Sequence, residues 1–135
     1  MDNILEITFK DEYSLLVEES DIIQWDRGQK LKIDGLDIKE DVQVHFSLDE
    51  HCGDAKRMTG EASDGSILVD IPAFILEGGN GERYYYAYAF IYLTDGDAAE
   101  TIRKITLPIK TRPKPEDYIH TEEEKRIYDE LKKEL

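Results

Sequence analysis

With 135 residues and a formal net charge of −14, the chain lacks the clustered Lys and Arg that phosphate recognition needs. The same acidity argues against nucleic acid and anionic membrane surfaces as partners. The lone cysteine, Cys52, leaves no internal disulfide and implies no oxidising compartment. One domain with a short appendage is expected, large enough to bury a core without disulfides or metals.

The opening residues show no basic n-region or apolar h-region, so cytosolic synthesis is expected. Residues 3–10 read as a strand, with Leu5, Ile7 and Phe9 on one side. Asp11 and Glu12 then make a turn, and residues 13–18 read as its return strand. A short apolar piece follows at residues 21–25 and ends in Trp25-Asp26-Arg27-Gly28-Gln29. Residues 29–33 continue as a strand with Leu31 and Ile33 inward, and Asp34-Gly35 is a tight-turn dipeptide.

Val42, Val44, Phe46 and Leu48 alternate with polar residues, which is the pattern of a half-buried strand. Residues 55–59 read as a short strand opposed to it, and Ser63-Asp64-Gly65 as a turn. Ile67, Val69 and Ile71 form the next strand, closed by Pro72. Residues 73–77 read as one helical turn.

The run from Tyr84 to Leu93 is the longest apolar stretch and reads as the central strand. It is too short for a membrane helix. Alternation puts Tyr84, Tyr86, Tyr88, Phe90 and Tyr92 on one face. Tyr85, Ala87, Ala89, Ile91 and Leu93 fall on the other. Residues 95–100 read as a polar hairpin loop. Residues 101–110 form the last strand, with Arg103, Ile105, Leu107 and Ile109 on one face and Pro108 near its end.

About nine short strands with frequent turn signals and almost no helix predict an all-β domain, an antiparallel β-sandwich of Ig-like or jelly-roll-like kind, over residues 1–111. Two alternate prolines, Pro113 and Pro115, make residues 112–120 a stiff extended strap. Residues 121–135 read as a short C-terminal α-helix. Thr121 and Glu124 form its capping box, and Ile127, Tyr128, Leu131 and Leu135 its apolar stripe.

One Cys and three scattered His (His45, His51 and His120) do not make a zinc set, so no metal or cofactor is expected. There is no G-x-S-x-G elbow, Walker loop or dinucleotide fingerprint, and the chain reads as non-enzymatic. The tyrosine face has three open readings. It is the core side of the sheet, a protein interface, or a platform on which sugar rings stack.

Several segments, taken in order, carry a resemblance. They are Trp25-Asp26-Arg27-Gly28-Gln29-Lys30-Leu31 with Val42-Gln43-Val44-His45-Phe46-Ser47, then Val69-Asp70-Ile71-Pro72. Arg112-Pro113-Lys114-Pro115-Glu116-Asp117-Tyr118 with Thr121-Glu122-Glu123-Glu124 completes the series. The pattern resembles the N-terminal β-domain of tail and baseplate structural proteins of phages and prophages of Gram-positive bacteria. It is similar to the N-terminal domain of the baseplate upper protein group. The resemblance covers roughly residues 21–124 and implies a β-domain that docks onto the tail or baseplate core. In that family a proline strap leads on to helical or fibre-like segments that carry oligomerisation and receptor-binding parts. The chain ends soon after its helix begins, which departs from longer family members. Other tail or baseplate proteins and further copies of the chain are the implied partners. The implied location is the virion, after synthesis in the bacterial cytoplasm. The residues expected at the interface are Trp25, Arg27, Tyr84, Tyr86, Tyr88, Tyr92, Tyr118, Ile127, Tyr128 and Leu131. The alternative is a carbohydrate-binding β-sandwich module that recognises a glycan receptor.

Overall fold

The computed structural model describes residues 3–79, 82–116 and 118. Eight strands and one helical turn follow in chain order: β1 (Ile4–Thr8), β2 (Ser14–Leu16), β3 (Lys30–Asp34), β4 (Val42–Ser47), β5 (Lys56–Ser63), β6 (Ser66–Asp70), α1 (Ala73–Leu76), β7 (Tyr84–Asp95) and β8 (Ala98–Lys110). They form one curled, mixed sheet, ordered β1-β3-β6-β5-β4-β7-β8-β2. The domain is all-β, as the strand spacing predicts.

The pair at each end of the sheet, β1–β3 and β8–β2, is parallel, and the pairs between them are antiparallel. This corrects the expected return strand. Residues 13–18 do not fold back on β1; β2 lies at the opposite end of the sheet. Chain reach then forces the curl. A flat sheet of eight strands would hold its outermost strands about 34 Å apart, at ~4.8 Å per neighbour. The link from Thr8 to Ser14 spans about 20 Å at most. The two ends must therefore bend toward each other. The Arg103 guanidinium of β8 accordingly sits 5.9 Å from the Phe9 ring just after β1.

One core fills the inside of the curl. Ile7, Phe9, Leu31, Ile33, Val44, Phe46, Ile67, Val69, Ile105, Leu107 and Ile109 are buried in it. On β7 the inward set is Tyr85, Ala87, Ala89 and Ile91. The two alanines are fully buried on the inner side of the curl. Gly35, at φ 91°, ends the turn after β3. A Cβ there would lie 2.0 Å from the Phe9 carbonyl oxygen, so only glycine fits.

Two of the β-hairpin turns are two residues long. Asp64 (φ 52°) and Gly65 (φ 83°) join β5 to β6, both in the left-handed region that matches strand twist. Gly96 and Asp97 join β7 to β8. The expected polar loop at residues 95–100 is therefore mostly strand. Its residues are polar because the hairpin tip is exposed on both faces, while backbone pairing from Asp95↔Ala98 inward holds its shape. Likewise β5 runs on through Ser63, beyond the short strand expected at residues 55–59.

Candidate functional site

The inward set on β7 leaves the aromatic set on the outer face of the sheet. Tyr84 is 50% exposed and Tyr86 38%, whereas Tyr88, Phe90 and Tyr92 are half-buried. The core reading of this face is thereby overturned. The outer aromatics divide into two groups along the strand.

In the first group Tyr92 and Tyr88 each have a polar or aromatic neighbour. Tyr92 packs against His45 of β4, with ring centroids 4.7 Å apart. Burial, then the Arg57 charge, lowers the His45 pKa from its ordinary value. Tyr88 lies 5.6 Å from the Lys104 ammonium, which also donates to Glu50 Oε2 at 2.6 Å. That hydrogen bond holds the Glu50 carboxyl below its usual value.

The second group is Tyr84 and Tyr86. Their rings meet edge to face, with centroids 5.3 Å apart at 81°. The neighbouring Tyr84, foremost, raises the Tyr86 hydroxyl pKa from its ordinary value. They form a ridge between two concavities. One, of about 590 Å³, is lined by Leu48, Glu82, Arg83, Tyr85 and Tyr88 beside the two ridge tyrosines. The other, of about 530 Å³, lies toward β8 and β2, and Pro108, Lys110, Glu18 and Glu19 contribute to its lining.

Trp25 stands elsewhere, where the strap leaves the sheet. It is half-buried and lies outside the core cluster. Its backbone φ of 74° is unusual for a bulky residue and shows that its surroundings over-determine it. The Trp25 N–H donates to the Leu76 carbonyl at 2.8 Å, and the indole Nε1 donates to the Arg112 carbonyl at 3.2 Å. Tyr118 meets the indole edge on, with centroids 5.0 Å apart. Arg27 lies 4.8 Å from the Tyr118 ring centroid and Lys114 5.4 Å from that of Trp25. The Tyr118 hydroxyl donates to Glu77 Oε2 at 2.8 Å; burial foremost, then this bond, raises its pKa. Thr111 seals the start of the strap. Its N–H donates to the Arg83 carbonyl and its hydroxyl to the Glu82 carbonyl. Gln24 bridges the two sides. Its amide nitrogen donates to the Gly78 carbonyl, and its oxygen accepts from the Arg112 N–H.

The structure therefore brings Trp25, Arg27 and Tyr118 together. Tyr84 and Tyr86 lie together on the outer sheet face, with Tyr88 and Tyr92 further along it. Ile127, Tyr128 and Leu131 lie outside the described residues, as does the whole predicted helix at 121–135. Sequence reasoning missed Glu77, Gln24, Lys114, Glu18 and Glu19. Only Pro108 left a trace, as a proline inside a strand pattern.

Among the described residues, no three His, Cys, Asp or Glu side chains converge on a point where a metal ion could sit. Among them, too, no helix is long and apolar enough to cross a membrane. No protein-family model matches the chain, and no curated protein matches it in sequence.

Proposed function

We propose that this chain is a non-enzymatic building block of a phage or prophage tail or baseplate, which docks onto neighbouring tail subunits and onto copies of itself. It would be made in the bacterial cytoplasm and carried in the virion, with no nucleic acid or membrane as partner. The finer architecture we infer is a β-sandwich, with the two arms of the curled sheet facing each other across the core. The single core cluster and the approach of Arg103 to Phe9 support it.

The observation that carries the reading is the anchored strap. A flexible linker would let the following segment point anywhere. Here Trp25, Tyr118, Arg27, Lys114 and Glu77 hold residues 111–116 and Tyr118 against the domain. A fixed exit direction suits a part whose work is positional. The order of the segments quoted above supports the same class.

Multi-angle light scattering, with a pull-down against co-expressed tail proteins, tests it. Oligomers or capture of a tail subunit are expected. A strictly monomeric chain that retains no tail protein overturns the reading.

The second reading, a glycan-binding module, gains from one observation. Tyr84 and Tyr86 are exposed and flanked by two concavities. Had they been core residues, no stacking platform would exist.

A further inference from the structure

The edge of the sheet beside Tyr86 is broken, and the break has a local cause. β2 pairs with β8 only as far as Leu16↔Thr106, and the Val17 N–H donates to the Thr106 carbonyl. Pairing resumes four residues further along β8, where the Lys110 N–H donates to the Ile22 carbonyl and the Gln24 N–H to the Lys110 carbonyl. Between these points lies Pro108, directly opposite Tyr86 on β7. Residues 104, 106, 108 and 110 are the positions of β8 that turn toward β2. Proline has no N–H to offer there. The chain leaves the sheet at residues 18–21 and returns at Ile22. The Ser20 hydroxyl caps the detour by accepting from the Ile22 N–H at 2.9 Å.

The cleft left behind holds about 530 Å³, within the usual range for small-molecule sites. Tyr84 and Tyr86 form one wall and the detour the other, with Pro108 and Lys110 beside them.

We propose that this cleft binds a neutral sugar ring, with Tyr86 and Tyr84 packing against its C–H face and Glu18 and Glu19 accepting from its hydroxyls. The proposal rests on the second, glycan reading given above and assigns it a place. Carboxylates are acceptors only, so the occupant must bring donors. Lys110 is a donor only, so the occupant must also bring acceptors. Sugar hydroxyls do both. The aromatic wall needs an apolar surface, and a pyranose carries one. The edge-to-face contact of the two rings holds the wall in shape before binding, which lowers the ordering cost. Rival occupants fit less well. A partner β-strand finds no donor at Pro108. A polyanion meets Glu18 and Glu19. A cationic peptide meets Lys110 inside the same cleft.

The test is a two-dimensional NMR titration of the full chain with maltose, cellobiose, lactose and diacetylchitobiose at millimolar concentration. At least one sugar should give saturable shifts in the amides of residues 16–20 and 84–86. Tyr86→Ala should weaken that binding about tenfold or more, as should Glu18→Gln combined with Glu19→Gln, the size expected when one good contact is lost. Tyr13→Ala removes an exposed tyrosine outside the cleft and should change nothing. Thermal melts of each variant check that it still folds. Binding that survives Tyr86→Ala, or that maps elsewhere, overturns the cleft assignment and leaves the glycan reading standing. Silence from all four sugars overturns both. Saturable shifts from an arginine-containing peptide alone make this a peptide site and overturn the sugar assignment.

Discussion

The chain has two aromatic clusters near the start of β7, and they are built differently. Around Trp25 the rings have protein partners on several sides: Tyr118, Arg27, Lys114, the Arg112 carbonyl, and Glu77 through the Tyr118 hydroxyl. At Tyr84 and Tyr86 the rings meet each other and face two concavities. The first arrangement stabilises the molecule and fixes the strap. The second leaves aromatic surface over for something else. Aromatic content alone does not separate the two roles; partner satisfaction does.

The largest test of this contrast is Trp25→Ala. It removes the indole contacts and the Nε1–H bond to Arg112, and should cost about 2–4 kcal/mol in urea unfolding, the lower range for large-to-small changes at a half-buried site. Amide exchange along residues 111–116 should accelerate. A loss under about 0.5 kcal/mol, the usual surface value, would mean that the clamp contributes nothing.

Tyr118→Phe is a finer cut. It keeps the ring against Trp25 and removes the hydroxyl that donates to Glu77 Oε2. A loss of about 0.5–1.5 kcal/mol is expected, the net worth of one such bond. An unchanged urea midpoint would assign the clamp to the rings alone.

Alkaline pH should act on the clamp and the core together. Burial raises the Tyr85 hydroxyl pKa well above its ordinary 10.0, with the Glu77 charge a second cause. Burial and the Glu77 hydrogen bond raise Tyr118. For a group whose folded pKa is raised, the stabilisation is complete below the unfolded value and is lost as pH rises through the folded one. Stability should therefore hold up to about pH 10 and fall above it. Tyr85→Phe should flatten that fall, at the cost of the bond its hydroxyl donates to the Ile75 carbonyl at 2.6 Å. A parent and variant with the same alkaline slope would remove Tyr85 as the cause.

The smallest effect is expected at the other cluster. Tyr84→Ser and Tyr86→Ser should leave the urea midpoint unchanged within error, because these rings face solvent. A clear loss of stability in either would make the ridge structural and weaken any binding role.

Much of the fold follows from alternation. The period-two pattern gave β4 one buried face with Val42, Val44 and Phe46, and grouped Ala87, Ala89 and Ile91 on one face of β7; both sets are buried in the structure. It also separated Tyr84 and Tyr86 from Tyr85, but could not say which side faced out. The answer came from the curl of the sheet, which takes the Ala face as its inner side. The exposed tip of the β7–β8 hairpin was misread because composition reports solvent contact, and backbone pairing persists there regardless.

By itself, then, the sequence determined which residues share a face, where the chain turns and that the domain is all-β. These are local properties, set by alternating side chains and by the left-handed backbone at Asp64-Gly65 and Gly35. Tertiary structure alone decided that β2 sits at the far edge, that Pro108 opens a cleft beside Tyr86 and that Trp25 clamps the strap. Each of those depends on segments far apart in the chain, brought together by the limited reach between Thr8 and Ser14 and by the donors a strand edge has or lacks.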